Sequence, residues 1–222
     1  MVQTGALVAR DAPSAVSMMG DVFLLAVFLV IGLLIGWGFG GALRNLAHLR
    51  VGLWWMYPVG LVLQVAPVPR VGTGTGRYLP YAVLMFSYVI LISVTAVNWR
   101  LRGFALILLG LLLNVAPIAV NQGMPVSGSA VREAGGRVES VPTEPGGKHH
   151  LATGEDQITF LADVIPIRAP FRQVVSAGDL VMWTGAAVFL AAAMLGRPER
   201  RSRRLARSAR RAQPATMWES PR

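Results

Sequence analysis

Residues 79–120 read LPYAVLMFSYVILISVTAVNWRLRGFALILLGLLLNVAPIAV. Two apolar runs, 79–98 and 103–120, are parted by a connector that carries Trp99, Arg100 and Arg102. Neither run shows the polar face that a helix in water must keep. Each is close to the ~20 residues needed to cross a ~30 Å hydrocarbon core. The stretch therefore reads as a transmembrane helical hairpin with a basic turn.

Outward from it, three more spans are expected. Residues 22–43 (VFLLAVFLVIGLLIGWGFGGAL) form a long apolar run with Gly32, Gly36 and Gly40 at four-residue spacing, which lets another helix approach closely. Residues 51–68 are weaker: Trp54, Trp55 and Tyr57 sit near one end as interfacial aromatics, and Pro58 and Gln64 interrupt the run. Residues 178–195 close the series and run into the tail RPERRSRRLARSARRAQ. The expected fold is all-α, a polytopic integral membrane protein of five transmembrane helices. Residues 1–20 read as a disordered lead, 21–196 as the membrane domain, 121–177 as a flexible outer loop and 197–222 as a basic tail.

Composition agrees. Of 222 residues, 54% are hydrophobic and 14% charged, against roughly 25% charged in soluble domains. There is no cysteine, hence no disulfide and no thiolate metal site. The net charge of +10 is concentrated at the C-terminus, where nine arginines follow Gly196. No aromatic residue interleaves the run from Arg197 to Arg211 to stack bases, so nucleic acid is not an expected partner; the bilayer, with anionic lipid at the tail, is.

Five spans place the termini on opposite sides. With the tail inside, the inner segments hold thirteen basic and two acidic residues, and the outer segments eight basic and nine acidic. The positive-inside rule then orients the chain in the cell membrane with the N-terminus outside and the C-terminus in the cytoplasm.

Polar residues gather toward the outer side. Asn114 and Asn121 are seven apart and share a helix face, with Pro117 between them. Asp163 lies in the apolar segment ITFLADVIPIR, which is too short to span and reads as interfacial or re-entrant. Asp179, in SAGD at a helix start, suits both N-capping and a site role. These four, with Met124 and Pro125, are the candidate binding residues, and Asp163 and Asp179 the candidate catalytic carboxylates. His149 and His150 read as a solvated loop pair, and Ser127 and Ser176 as loop serines with no base beside them. GTGTG at 72–76 has neither the preceding strand nor the GK[ST] of a nucleotide loop. No metal site and no cofactor is implied.

Three ordered strings carry a resemblance: N-x-G-M-P (Asn121, Gly123, Met124, Pro125), L-A-D-V-I-P (Leu161 to Pro166) and V-S-A-G-D (Val175 to Asp179). Together they resemble an uncharacterised family of bacterial membrane proteins, found mainly in actinobacteria and firmicutes, over residues 20–196. That resemblance implies an integral membrane protein and says nothing about activity. The closing pattern is also similar to the end of lipoprotein signal peptidase, a membrane aspartic protease. It would make Asp163 the structural aspartate and Asp179 the second catalytic one. The G-N-x-x-D-R motif of the other catalytic aspartate is absent, and Ser176-Ala177-Gly178 replaces the F-N-x-A context. Two functions follow: binding of a lipid, peptide or partner subunit at the outer face, or aspartic hydrolysis.

Overall fold

A computed structural model describes residues 15–69 and 74–196. The N-terminal lead before Ala15 and the arginine tail lie outside the described residues. Five apolar helices pack in a row, in the spatial order α1, α6, α4, α3, α2: α1 (Ala15–Gly38), α2 (Met56–Val65), α3 (Leu79–Val97), α4 (Phe104–Asn121) and α6 (Ala177–Leu195). A six-residue α5 (Gly128–Glu133) and four short strands lie between α4 and α6.

Glycines set the row. On the α1–α6 seam, a methyl on Gly32 would come 2.6 Å from the Ala187 carbonyl oxygen, and one on Gly36 would meet Ala191 and Met194. The four-residue spacing thus works as expected at Gly32 and Gly36. Gly40 instead turns the chain at φ 78°, and Gly41 packs against Met194. Because residue pairs 32/187 and 36/191 keep a constant offset, α1 and α6 run parallel. Across the other side of α6, Gly110 meets Gly178 and Gly103 meets Gly185, an antiparallel register of glycines seven apart on both helices. Backbones so close gain dispersion contact along their whole length, the attraction available between helices in lipid. Gly60 seats α2 against Leu91 of α3, also antiparallel, with Tyr57 beside Thr95.

Among the described residues, three helical segments are long and apolar enough to cross a membrane: Thr75–Val97, Phe104–Asn121 and Ala177–Leu195. The apolar part of α1, Val22–Gly38, is shorter. The segment expected to span at 51–68 forms a helix only over Met56–Val65. Leu53 takes a positive φ before it, and Ala66, held extended ahead of Pro67, ends it. Ten residues rise ~15 Å, about half of a hydrocarbon core. At the N-terminus the helix starts earlier than expected, so residues 15–20 continue α1.

Residues 121–177, expected as a flexible loop in an all-α fold, carry regular structure. Strand β1 (Met124–Val126) pairs in parallel with β2 (His149–Leu151), and β3 (Ile165–Ile167) pairs antiparallel with β4 (Gln173–Val175). Val126 bridges to Asp163, joining the two small sheets into a cap over one end of the helix row. Met124, Ala162 and Val175 are buried in its contact with the helices.

The opposite end is tied by amides. Asn98 donates from Nδ2 to the Gly52 and Val94 carbonyls, and its Oδ1 accepts the Gly52 N–H at 2.7 Å. Asn45 donates to the Met194 carbonyl at 2.6 Å. The α4–α6 seam has no room for a side chain, so Gly178→Ala should drive a methyl into Asn114 and cost ~1–3 kcal/mol. Thermal unfolding in detergent should show that loss, whereas Gly38→Ala, with open space around it, should leave the transition in place.

Candidate functional site

The three sequence strings converge where the cap meets the helix row. Asn121 ends α4: its Nδ2 donates to the Pro117 and Gln157 carbonyls, and its Oδ1 accepts the Gln157 N–H at 2.8 Å. Gln122 turns left-handed as the C-cap, and Gly123 follows at φ 147°. A side chain there would be strained and would meet Gly147 and His150. Met124 then donates its N–H to Lys148 at 2.7 Å, and the Pro125 carbonyl accepts the Asp163 N–H at 3.1 Å. Asn121, Met124 and Pro125 thus hold the cap to α4.

Asp179 occupies a capping box. The Ser176 hydroxyl oxygen accepts the Asp179 N–H at 3.0 Å, and Asp179 Oδ2 accepts the Ser176 N–H at 3.0 Å. Both free amides at the helix start are satisfied reciprocally. The box extends to the next helix: Asn114 Nδ2 donates to Asp179 Oδ1 at 2.6 Å. The single Ser176 hydroxyl hydrogen is shared between Asn114 Oδ1 and Asp179 Oδ2, each at 2.8 Å. Ser176 is fully buried, so it is a central member of this network and not a loop serine. Tyr88 of α3 hydrogen-bonds the Asn114 side chain and lies within electrostatic reach of both Asp163 and Asp179.

Asp163 is buried, with its backbone tied to both Pro125 and Ser127. His149 Nε2 stands 3.7 Å from its Oδ2. Although 48% of the His149 side chain is open to solvent, burial of the rest of its surroundings and the charge of Lys148 push its imidazole below the usual histidine range. Asp179 acts in the opposite direction. A neutral His149 makes the Asp163 contact a loose polar one.

The two histidines are not a solvated pair. His150 is 2% exposed, and its Nε2 lies 2.9 Å from Asp156 Oδ1. Burial tends to raise the Asp156 carboxyl, but the Thr153 N–H, the His150 ring and the Thr153 hydroxyl hold it below the usual carboxylate range. An ionised Asp156 makes Nε2 the donor. His150 Nδ1 is then left buried with no hydrogen-bond partner among the described residues. Beside this pair lies a polar cleft of about 250 Å³ whose walls include Asn121, Thr143, Thr153, Glu155, Asp156 and Gln157. Adjacent histidines in a Gly- and Pro-rich stretch gave no sign of it, because the pairing depends on the 153–157 turn closing over β2.

With this geometry in hand, a family model matches residues 48–191, well over half of the chain. The protein belongs to a family of unknown function, DUF5317. The matched region contains all three strings, so the resemblance to an uncharacterised family holds. No curated protein and no solved structure matches the chain.

Two outcomes follow for this DUF5317 member. Asn114→Ala strands buried groups on Ser176 and Asp179 and should cost ~1–3 kcal/mol, read as a lower unfolding temperature in detergent. The depressed Asp156 contributes stability that is fully present above the unfolded aspartate value of about 3.9 and is lost as pH falls through its lower folded value. Unfolding temperature should therefore fall on acidification through that range, and Asp156→Asn should flatten the fall while lowering stability at pH 7.

Proposed function

We propose that the protein is a five-pass cell-membrane protein whose cap faces outward and binds a small cationic ligand, such as the amino terminus of a peptide. The observation that carries the membrane reading is a charge asymmetry: the cap end holds basic and acidic residues together, whereas the distal end holds arginines with no Asp or Glu among the described residues. Distal to the cap lie Arg44, Arg50, Arg100 and Arg102 with exposed Trp37, Trp54, Trp55 and Trp99. Basic residues and interfacial aromatics at one end suit a cytoplasmic membrane surface. The large apolar side chains exposed along the helices, among them Leu34, Phe86 and Leu112, suit lipid and not water. Short α2 fits if its flanking turns sit in the interface beside α3.

Ligand binding is supported by the His150 cleft. Its walls carry the Glu155 and Asp156 carboxylates, and neither lysine nor arginine lines it. Asp156 already holds donors from His150 and Thr153, so an anion would face the open Glu155 carboxylate, while an ammonium group would supply that carboxylate with donors. The lining holds no Phe, Tyr or Trp, so a quaternary ammonium would find no cation–π cage. Hydrolysis has less support. Asp179 already receives three donors on its two oxygens, which leaves it a poor activator of water.

Because the chain has no cysteine, single reporters test the orientation directly. Glu139→Cys, on the cap, should react with a membrane-impermeant maleimide in intact cells, and Ala47→Cys only after permeabilisation. The reverse pattern refutes the orientation. For the ligand, a tripeptide with a free amino terminus should raise the unfolding temperature saturably, and its N-acetylated form should not. Glu155→Gln should weaken the effect severalfold; equal effects of both peptides, or none, would sink the cation reading.

A further inference from the structure

A second concave surface lies at the other end of the molecule, on the outer face of the α3–α4 hairpin. Ala96 and Trp99 of the α3 end, and Ala105, Leu108, Leu109 and Leu112 of α4, line an apolar groove of about 370 Å³. It exists because alanines stand at positions 96 and 105, where larger residues would fill the angle between the helices. Leu109, Leu112 and Trp99 are about half exposed along it, so the groove opens sideways and not into the core.

The groove ends at charge. Arg100 and Arg102 occupy the hairpin turn; both are exposed, and among the described residues neither forms a salt bridge. The Arg100 guanidinium lies 5.8 Å from the Trp99 ring centroid. An apolar slot along the helices, an interfacial tryptophan and two unneutralised guanidiniums at its end match one amphiphile: an acyl chain below and an anionic phosphate above. Guanidinium suits that phosphate because its planar fork can give two donors to two oxygens.

We propose that this groove is a seat for an anionic phospholipid of the leaflet on the side away from the cap, with an acyl chain along Leu108, Leu109 and Leu112 and its phosphate on Arg100 and Arg102. This rests on the membrane-spanning reading of α3 and α4 and is independent of the cap cleft. It is also distinct from general attraction by the arginine tail, which supplies charge but no slot. The tail draws anionic lipid to the surface; the groove would fix one molecule beside Trp99.

The test uses the full chain in phosphatidylcholine vesicles, with the other five tryptophans replaced by phenylalanine so that Trp99 alone reports. Brominated phosphatidylglycerol should quench Trp99 at a severalfold lower mole fraction than brominated phosphatidylcholine. The pair Arg100→Gln and Arg102→Gln should abolish that preference although the tail is intact. Ala105→Leu, which fills the slot, should reduce quenching by both lipids. Native mass spectrometry of the chain with all its tryptophans provides a measurement free of the replacements, and should show phosphatidylglycerol retained in preference, with the preference reduced by the arginine pair. Equal quenching by the two lipids, or a preference unchanged in the arginine pair, overturns the groove while leaving the membrane reading standing. Loss of the protein from vesicles on alkaline wash, with no quenching by either lipid, overturns both.

Discussion

The Asn114–Ser176–Asp179 network is possible only because Gly178 has no side chain. The α-carbon of Gly178 lies against the Asn114 amide, and its carbonyl against Gly110. That proximity brings a polar side chain from the middle of α4 within reach of the first turn of α6. Without it, Asn114 would be an amide in an apolar helix with nothing to bond, a costly arrangement in lipid or in a protein core. The glycine seam and the polar network are therefore one device. The seam sets the distance, and the network sets the register in which the two helices meet.

That register propagates. Gly110 against Gly178 and Gly103 against Gly185 are seven residues apart on each helix, so fixing one pair fixes the other. On its opposite side α6 holds α1 through Gly32 and Gly36, so a shift of α6 would disturb both seams together. The cap follows as well: β4 runs straight into Ser176, and its Val175 is wholly buried beside Trp183 and Leu24. The cap is thus anchored at one side by the α6 capping box and at the other by Asn121.

Much of the helix row was legible because lipid leaves a plain trace. The runs at 79–98, 103–120 and 178–195 match α3, α4 and α6 within a few residues, and Gly32 with Gly36 marked a real contact. The run at 51–68 is longer than the helix it forms, because hydropathy does not register that Leu53 turns and that the helix stops ahead of Pro67. The cap was illegible for a different reason. Its strands are three residues long, and the pairings that build it include Met124 with His149 and Val126 with Asp163, 25 and 37 residues apart. A three-residue strand has too little alternation to be seen, and its partner is specified by the whole loop. Asp179 was readable as a cap; that Asn114 completes it was not, since the two are joined by a distance that only Gly178 sets.

The three strings lie within the region that the family model matches, and they are the ones that join cap to helices. Asn121, Gly123 and Pro125 seat β1; Asp163 bridges the sheets; Val175, Ser176, Gly178 and Asp179 dock α6. Each has a mechanical part, and none of these parts requires a substrate. His150 on β2 pairs with Asp156 on the turn that closes over that strand, and its Nδ1 is buried against Gly123 with no hydrogen-bond partner among the described residues. In this molecule the residues of the three strings build the frame on which the His150–Asp156 pair is held.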